Sequence, residues 1–147
     1  MKQPFYVCIT GGRDYNDYNT VCRALAHVRR HSVPNGHWTR MVLVVGGAKG
    51  ADTLAEQWAR RNGIAYLRVP AEWDELGKAA GHLRNEEMLS WVPIKLLIAF
   101  PGGRGTAHAV KTAQSMGIQV YRPDRDAEVP DDEFEVARLR LEQAGVL

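Results

Sequence analysis

Three apolar runs in this chain are each followed by a pair of glycines. The runs cover residues 5–10, 41–45 and 95–100, and the pairs are Gly11-Gly12, Gly46-Gly47 and Gly102-Gly103. Short apolar runs without polar alternation are typical of strands buried on both faces of a parallel sheet. Because glycine allows positive φ and close approach of the backbone, the pairs indicate tight turns, contact with a ligand, or both.

Amphipathic stretches alternate with the apolar runs. The pattern predicts strands over residues 5–10, 41–45, 65–69, 95–100 and 118–121. It predicts helices over residues 18–31 and 53–61, one beginning near residue 82, one capped by Thr106 and ended by Gly117, and a last one over residues 133–144. We expect Asp52 to cap the second helix and Asn62-Gly63 to end it. Strands alternating with helices favour an α/β fold, with a mainly parallel sheet covered on both faces.

Length and composition are those of an ordinary single-domain protein. The 147 residues carry 19 Lys and Arg against 17 Asp and Glu, and a net charge of +2 does not by itself indicate nucleic-acid binding. No run is long enough to span a membrane and no signal-peptide pattern is present, so we expect a cytoplasmic protein. The two cysteines form no metal-binding motif, and we predict neither a metal nor a cofactor. We predict one domain over residues 1–123, followed by an acidic linker and helix over residues 124–147.

The glycine pairs lie where ligands bind in proteins of this class. The carboxyl ends of parallel strands form the ligand-binding edge of an open α/β sheet. The loops after the second and fourth strands lead directly into helices, whose free N–H groups and positive dipole end attract anions. The sequence therefore predicts a cradle for the phosphate of a nucleotide-like molecule, and the alternative is that the glycines serve only tight turns. The candidate ligand-binding residues of the three loops are Gly11, Gly12, Arg13, Asp14, Gly46, Gly47, Ala48, Lys49, Gly50, Asp52, Pro101, Gly102, Gly103, Arg104, Gly105 and Thr106.

Several standard motifs are missing from these loops. No Gly-Lys-Ser or Gly-Lys-Thr completes a Walker A sequence, and Gly103-Arg104-Gly105 lacks the third glycine of a dinucleotide fingerprint. No GxSxG elbow is present either. The sequence therefore argues against ATP hydrolysis, NAD(P) redox chemistry and serine hydrolysis.

The candidate side chains have structural interpretations as well. Arg13 could clamp a phosphate or pair with Asp14 in a surface turn. Asp52 could bind a ribose hydroxyl or cap its helix. Lys49 could neutralise a phosphate or be solvated, and Trp73 could stack on a base or cover the sheet edge.

Four further candidate residues lie in the third predicted helix, shortly after Gly81. With a helix start near residue 82, Arg84 and Asn85 lie in the first turn, where an arginine opposes the helix dipole unless an anion is bound. Both are therefore candidate ligand-binding residues. Glu86 and Glu87 suit the first turn through the dipole alone, and they are the candidates for a catalytic acid or base.

The glycine loops also carry a family resemblance. The sequence resembles the YspA/YpsA-related branch of the SLOG superfamily over roughly residues 5–123. The matching motifs are GGRD at residues 11–14, GGAKGAD at 46–52, PAEW at 70–73 with GKAAGHLRN at 77–85 and Met88, and PGGRGT at 101–106. The resemblance implies a Rossmann-like three-layer fold with about five strands, and a nucleotide or nucleotide-derived ligand held by the glycine loops.

The same resemblance bears on catalysis. LOG phosphoribohydrolases of this superfamily carry PGGxGTxxE, whose glutamate works in N-glycosidic bond cleavage, and here that position is Ala109. The resemblance therefore favours binding, for sensing, sequestering or carrying a ligand. Two alternatives stay open: a nucleotide N-glycosidase that uses another glutamate (Glu72, Glu86 or Glu87), and DNA binding like that of the superfamily member DprA. The resemblance also favours a homo-oligomer, and the C-terminal helix could pack either on its own domain or on a partner.

Overall fold

Strands and helices alternate along the chain, which confirms the predicted α/β class. The structure is a computed structural model that describes residues 3–32, 38–69, 79–125 and 145. The strands are β1 (Gln3–Thr10), β2 (Trp38–Val45), β3 (Ala65–Arg68), β4 (Ile94–Ala99) and β5 (Gln119–Tyr121). The helices are α1 (Tyr18–Ser32), α2 (Ala51–Arg61), α3 (Ala79–Trp91) and α4 (Arg104–Ser115).

The five strands form one sheet in the order β3-β2-β1-β4-β5. Every neighbouring pair is parallel, and Val7 of β1 is in register with Leu43 of β2 and Leu96 of β4. The chain runs outward from β1 to β3 and then returns to the other side of β1. This reversal makes β1 and β4 neighbours at a topological switch point, the arrangement of a Rossmann-like fold.

Two apolar cores cover the two faces of the sheet. Val7 and Ile9 of β1 lie in the core under α1 and α2, while Cys8 between them lies in the core under α3 and α4. Successive strand residues point to opposite faces, so burial on both faces requires an unbroken apolar run. The three layers that result explain why the predicted strands show no alternation of polar residues.

Local signals determine several helix ends. Asp17 precedes α1, and its carboxylate accepts hydrogen bonds from the backbone N–H of Thr20 (3.1 Å) and from the Thr20 hydroxyl (2.6 Å). Gly63 has φ of 65° after α2, and the Ile64 N–H donates back to the Ala59 carbonyl at 2.8 Å. Gly117 ends α4 in the same way. The predicted ends at Asn62-Gly63 and Gly117 are confirmed.

The predicted helix starts are wrong at three places. Helix α2 begins at Ala51 with Gly50 as its cap, so Asp52 is a first-turn residue and not the N-cap. Helix α4 begins at Arg104 with Gly103 as its cap, and Thr106 lies inside its first turn. Helix α3 begins at Ala79, about one turn earlier than expected. The glycine loops are therefore shorter than the capping side chains suggested.

Some predictions fall on residues outside the described ranges. These are the stacking role of Trp73, the catalytic alternative Glu72, the C-terminal helix over residues 133–144, and most of the segment over residues 124–147. Within the described ranges, no helix is both long enough and apolar enough to cross a membrane.

Candidate ligand site at the carboxyl edge of the sheet

The loops after β1 and β4 meet at the switch point of the sheet. The Gly12 N–H donates to the Pro101 carbonyl at 2.8 Å, and the Phe100 N–H donates to the Thr10 carbonyl at 2.9 Å. Helices α1 and α4, which follow these loops, lie on opposite faces of the sheet. The loops therefore leave the sheet in different directions, which is the geometry that forms a ligand-binding crevice in open α/β sheets.

Several of the loop glycines are required by packing of the loops on one another. Gly50 has φ of 81°, and a Cβ there would lie 2.1 Å from the Gly12 carbonyl oxygen. A Cβ on Gly102 would lie 2.1 Å from Thr106 Oγ1 and 2.6 Å from the Gly12 nitrogen. A Cβ on Gly11 or Gly12 would likewise lie closer than 3.0 Å to the Ala51 Cβ or to the Pro101 carbonyl oxygen. At Gly46 and Gly47 the close atoms belong to the flexible side chains of Arg84 and Arg68, which can move aside, although Gly47 has φ of 76°. Packing therefore accounts for Gly11, Gly12, Gly50 and Gly102.

Gly103 and Gly105 differ from the other loop glycines. Both are exposed, and a Cβ at either position would meet no atom of the described chain within 4 Å. Gly103 is the cap of α4 and Gly105 lies in its first turn. Glycine is among the favoured residues at a helix cap, which accounts for Gly103. Inside a helix glycine costs about 1 kcal/mol relative to alanine, and packing of the described chain gives no reason for that cost at Gly105.

Asp52 organises the loop after β2. Its side chain is 5% exposed, and Oδ2 accepts hydrogen bonds from the N–H groups of Gly46 (3.1 Å) and Ala48 (3.2 Å). Burial raises the pKa of Asp52 to about 6, against the opposing effects of those N–H groups and of the Arg84 charge. The Asp52 carboxylate, in the first turn of α2, therefore holds the backbone of the loop that precedes α2.

Arg84 binds the same loop from the other side. Its Nη1 donates to the Gly46 carbonyl at 3.1 Å, and a Cβ on Gly46 would lie 2.0 Å from that nitrogen. Because α3 begins at Ala79, Arg84 lies in the second turn, so the dipole argument for a bound anion is wrong. The guanidinium of Arg84 has a partner within the protein, and its contact with a ligand stays a prediction.

Asn85 connects α3 to the first turn of α4. The side chain is 1% exposed, and Nδ2 donates to the Gly105 carbonyl at 3.2 Å and lies 3.3 Å from Nδ1 of His108. Arg84 Nε donates to Oδ1 of the same amide at 3.1 Å. Arg84 and Asn85 thus link the loop after β2 to the helix that follows β4.

A further ion pair beside the β2 loop was not predicted from the sequence. Glu56 is 3% exposed and accepts a hydrogen bond from Arg68 Nη2 at the end of β3. That hydrogen bond is the main cause that raises the pKa of Arg68. A Cβ on Gly47 would lie 2.8 Å from Cδ of Arg68, so this arginine covers the loop. The available signal was Glu56 itself, a charged residue beside Ala55 and Ala59 on the inward side of α2.

The remaining candidate ligand-binding residues differ in how exposed their side chains are. Arg13, Asp14, Lys49, Pro101 and Arg104 are exposed around the edge, whereas Ala48 and Thr106 are half-buried.

The two catalytic candidates lie away from the loop contacts. Glu86 and Glu87 are exposed on α3, on the side opposite the buried Asn85 and Met88. Ala109 is fully buried in the core under α3 and α4. Among the described residues, no cluster of three His, Cys, Asp or Glu side chains could hold a metal ion.

Comparison with known proteins identifies the family. The model of the YspA, cpYpsA-related SLOG family (YAcAr) matches residues 5–75. The Gene 61 protein of Mycobacterium phage D29 is 42% identical over 121 residues, covering 78% of this chain and 92% of the phage protein. The chain belongs to the YspA, cpYpsA-related SLOG family. The resemblance inferred from the glycine motifs is confirmed.

A solved structure places this SLOG chain among Rossmann-like proteins. The X-ray structure of DNA processing protein A (DprA) from Streptococcus pneumoniae matches with a TM-score of 0.60 at 18% identity. The match covers 82% of this chain and 50% of the DprA chain, so the SLOG chain spans half of DprA. At this identity the likeness shows a shared fold.

Proposed function

We propose that this SLOG protein binds a nucleotide or nucleotide-derived small molecule, with a phosphate at the start of α4. The observation that carries the proposal is the open space beside Gly103 and Gly105. Both glycines lie at the switch point, on a helix N-terminus. Glycine is favoured at the cap that Gly103 occupies, whereas neither capping nor packing of the described chain accounts for Gly105. Close approach of a ligand to the backbone accounts for Gly105 and is compatible with Gly103.

The start of α4 has the chemistry that a phosphate requires. The first intrahelical bond of α4 is from the Ala107 N–H to the Gly103 carbonyl at 3.1 Å, so the N–H groups of residues 104–106 precede the helical ladder. Those groups and the helix dipole favour an anion. Arg104, exposed beside them, supplies a cation that can form two parallel hydrogen bonds to a phosphate.

The other polar residues support the site by holding its backbone. Asp52 and Arg84 bind backbone groups of the β2 loop, and Asn85 binds the Gly105 carbonyl. We assign these three residues to the scaffold of the proposed site. Preorganised loops reduce the entropy that a ligand must overcome on binding.

The test is isothermal titration calorimetry with AMP, adenosine and inorganic phosphate. We expect AMP to bind more tightly than adenosine, and Gly103→Asp and Gly105→Asp to weaken AMP binding at least tenfold, about 1.4 kcal/mol. Asp is favourable at a helix cap and in a first turn, so both variants should fold as stably as the parent. Gln114→Glu, an exposed change at the far end of α4, adds the same charge and should not affect AMP binding.

The outcomes separate this proposal from its competitors. AMP binding that is unchanged by both aspartates would contradict the proposed site. Chromatography of the titrated samples checks for free adenine, whose release would show N-glycosidic hydrolysis. A DNA affinity that falls steeply with salt, in the absence of AMP binding, would instead favour a nucleic-acid function.

A further inference from the structure

Two aromatic rings meet at the switch point of the sheet, where β1 and β4 end. The ring of Tyr15, in the turn that follows β1, stacks on the ring of Phe100, directly after β4, with 5.3 Å between the centroids and 29° between the planes. The Tyr15 N–H donates to the Gly12 carbonyl at 3.2 Å, and the Gly12 N–H donates to the Pro101 carbonyl at 2.8 Å. Two hydrogen bonds therefore connect Tyr15 to the loop that leads into α4.

The two rings differ in exposure. Phe100 is 1% exposed and belongs to the core under α1 and α2, whereas Tyr15 is half-buried at the border of that core. Because one face of the Tyr15 ring packs on Phe100, the exposed part of the ring lies on the opposite face and at its edge. An aromatic ring with an accessible face is a platform on which a planar base can stack.

Polar contacts hold the Tyr15 ring in one orientation. Thr20 Oγ1 donates to the Asp17 carboxylate at 2.6 Å, so this hydroxyl accepts the hydrogen bond that it shares with the Tyr15 hydroxyl. Burial is the main cause that raises the pKa of Tyr15, so the phenol keeps its proton and adds no charge that would repel a phosphate. A ring that is already oriented loses less entropy when a ligand stacks on it.

We propose that Tyr15 stacks on the base of the nucleotide whose phosphate binds at the start of α4. Strands β1 and β4 are neighbours, about 4.8 Å apart, and the loops after them diverge towards opposite faces of the sheet. A nucleotide spans such a crevice with its phosphate on the α4 side and its base on the α1 side, where Tyr15 lies. This inference rests on the proposed function, and it narrows the ligand class to phosphates that carry a planar base.

Isothermal titration calorimetry with AMP and ribose 5-phosphate tests the stacking, because ribose 5-phosphate has the phosphate and the sugar without the base. We expect Tyr15→Leu to weaken AMP binding about tenfold and to leave the affinity for ribose 5-phosphate within about twofold of the wild type. Tyr15→Phe keeps the ring and should bind AMP within about threefold of the wild type. Tyr66→Leu is the matched control, because Tyr66 packs on the same core from β3, away from the switch point, and should not affect AMP binding.

Nuclear Overhauser effects measure the contact directly and need no variant that could fail to fold. In deuterated protein with protonated tyrosine rings, we expect transfer from the Tyr15 ring to H2 and H8 of AMP. The same transfer should persist with the Tyr66→Leu variant. Its absence in the wild-type complex with AMP would overturn the proposal.

The proposed function and this inference fail in different ways. If Gly103→Asp and Gly105→Asp leave AMP binding unchanged, the proposed phosphate site fails and the stacking fails with it. If both aspartates weaken AMP binding while Tyr15→Leu does not, only the stacking is wrong. If Tyr15→Leu weakens the binding of AMP and of ribose 5-phosphate equally, Tyr15 supports the loop and does not contact the base, which also overturns the inference.

Discussion

The loops after β2 and β4 have the same appearance in the sequence and different surroundings in the structure. The β2 loop contacts the Asp52 carboxylate, the Arg84 guanidinium and the Arg68 side chain, while Gly47 and Lys49 within it are exposed. The β4 loop is exposed from Pro101 to Gly105, and Gly103 and Gly105 face open space. Glycine pairs after parallel strands therefore serve two purposes in this sheet. After β2 the glycines make room for side chains of the protein itself, and after β4 they leave the backbone accessible.

The largest expected effect is on the free energy of unfolding. It distinguishes Gly50, which packing requires, from Gly63, which only its backbone conformation requires. Gly50→Ala places a Cβ 2.1 Å from the Gly12 carbonyl at a positive φ, and we expect it to lower the free energy of unfolding by about 3 kcal/mol or more. Gly63→Ala is the matched control, because Gly63 also has a positive φ but no neighbour within 4 Å. It should cost about 1–2 kcal/mol, from the backbone conformation alone. Urea unfolding measures both, and equal losses would show that the contact with Gly12 is unimportant.

The second prediction concerns pH and the Asp52 carboxylate. Burial raises the pKa of Asp52 from 3.8 to about 6, so the folded protein holds this proton more tightly than the unfolded chain. The stabilisation from Asp52 is therefore fully present below pH 3.8 and lost as the pH rises to about 6. At about 1.4 kcal/mol per pKa unit, it amounts to as much as about 3 kcal/mol.

Urea unfolding of the wild type and Asp52→Asn between pH 4 and 7.5 tests this prediction. Asp52→Asn should lack the Asp52 contribution, so the wild type gains stability relative to the variant as the pH falls. Asp14→Asn, at an exposed position, is the control and should keep the wild-type profile. If the wild type and Asp52→Asn respond identically to pH, Asp52 has no raised pKa.

The smallest expected effects compare two arginines, one beside each loop. Arg84→Ala removes the donor to the Gly46 carbonyl and a positive charge near the buried Asp52, and should lower the free energy of unfolding by about 2 kcal/mol. Arg104→Ala is exposed and should change it by less than about 0.5 kcal/mol. We expect Arg104→Ala to weaken AMP binding about fivefold, roughly 1 kcal/mol. Loss of stability in Arg104→Ala would contradict the division between a filled and an accessible loop.

The fold was largely predictable from the sequence, because its signals are local or periodic. The apolar run around Cys8 predicted a strand buried on both faces, and Asn62-Gly63 marked the end of α2. The predicted start of α3 near residue 82 was wrong because Gly81 was taken to precede the helix, whereas it lies inside α3. The predicted cap at Asp52 was wrong because a capping residue cannot be distinguished by type from one whose carboxylate binds an earlier loop.

The sequence predicted which loops lie together and only some of the contacts of their residues. Glycine pairs after parallel strands predicted loops at one edge of the sheet, since the carboxyl ends of parallel strands share one edge by geometry. Ligand binding at that edge stays a prediction. The sequence could not separate Gly50 from Gly103, because the difference lies in what other segments place beside each Cβ. It also gave no sign that Arg84 binds the Gly46 carbonyl, which is 38 residues earlier in the chain. The predicted ligand contact of Arg84 stays a prediction.

The amino-acid sequence by itself determined the α/β class, the order of strands and helices, and the family. Hydrophobic periodicity and glycine positions act over a few residues and need no knowledge of distant contacts. Tertiary structure alone decided which loop is filled and which is accessible, the raised pKa of Asp52, and the orientation of the Asn85 amide. Each of these depends on burial or on hydrogen bonds between segments far apart in sequence, whose energies exist only once the sheet has brought those segments together.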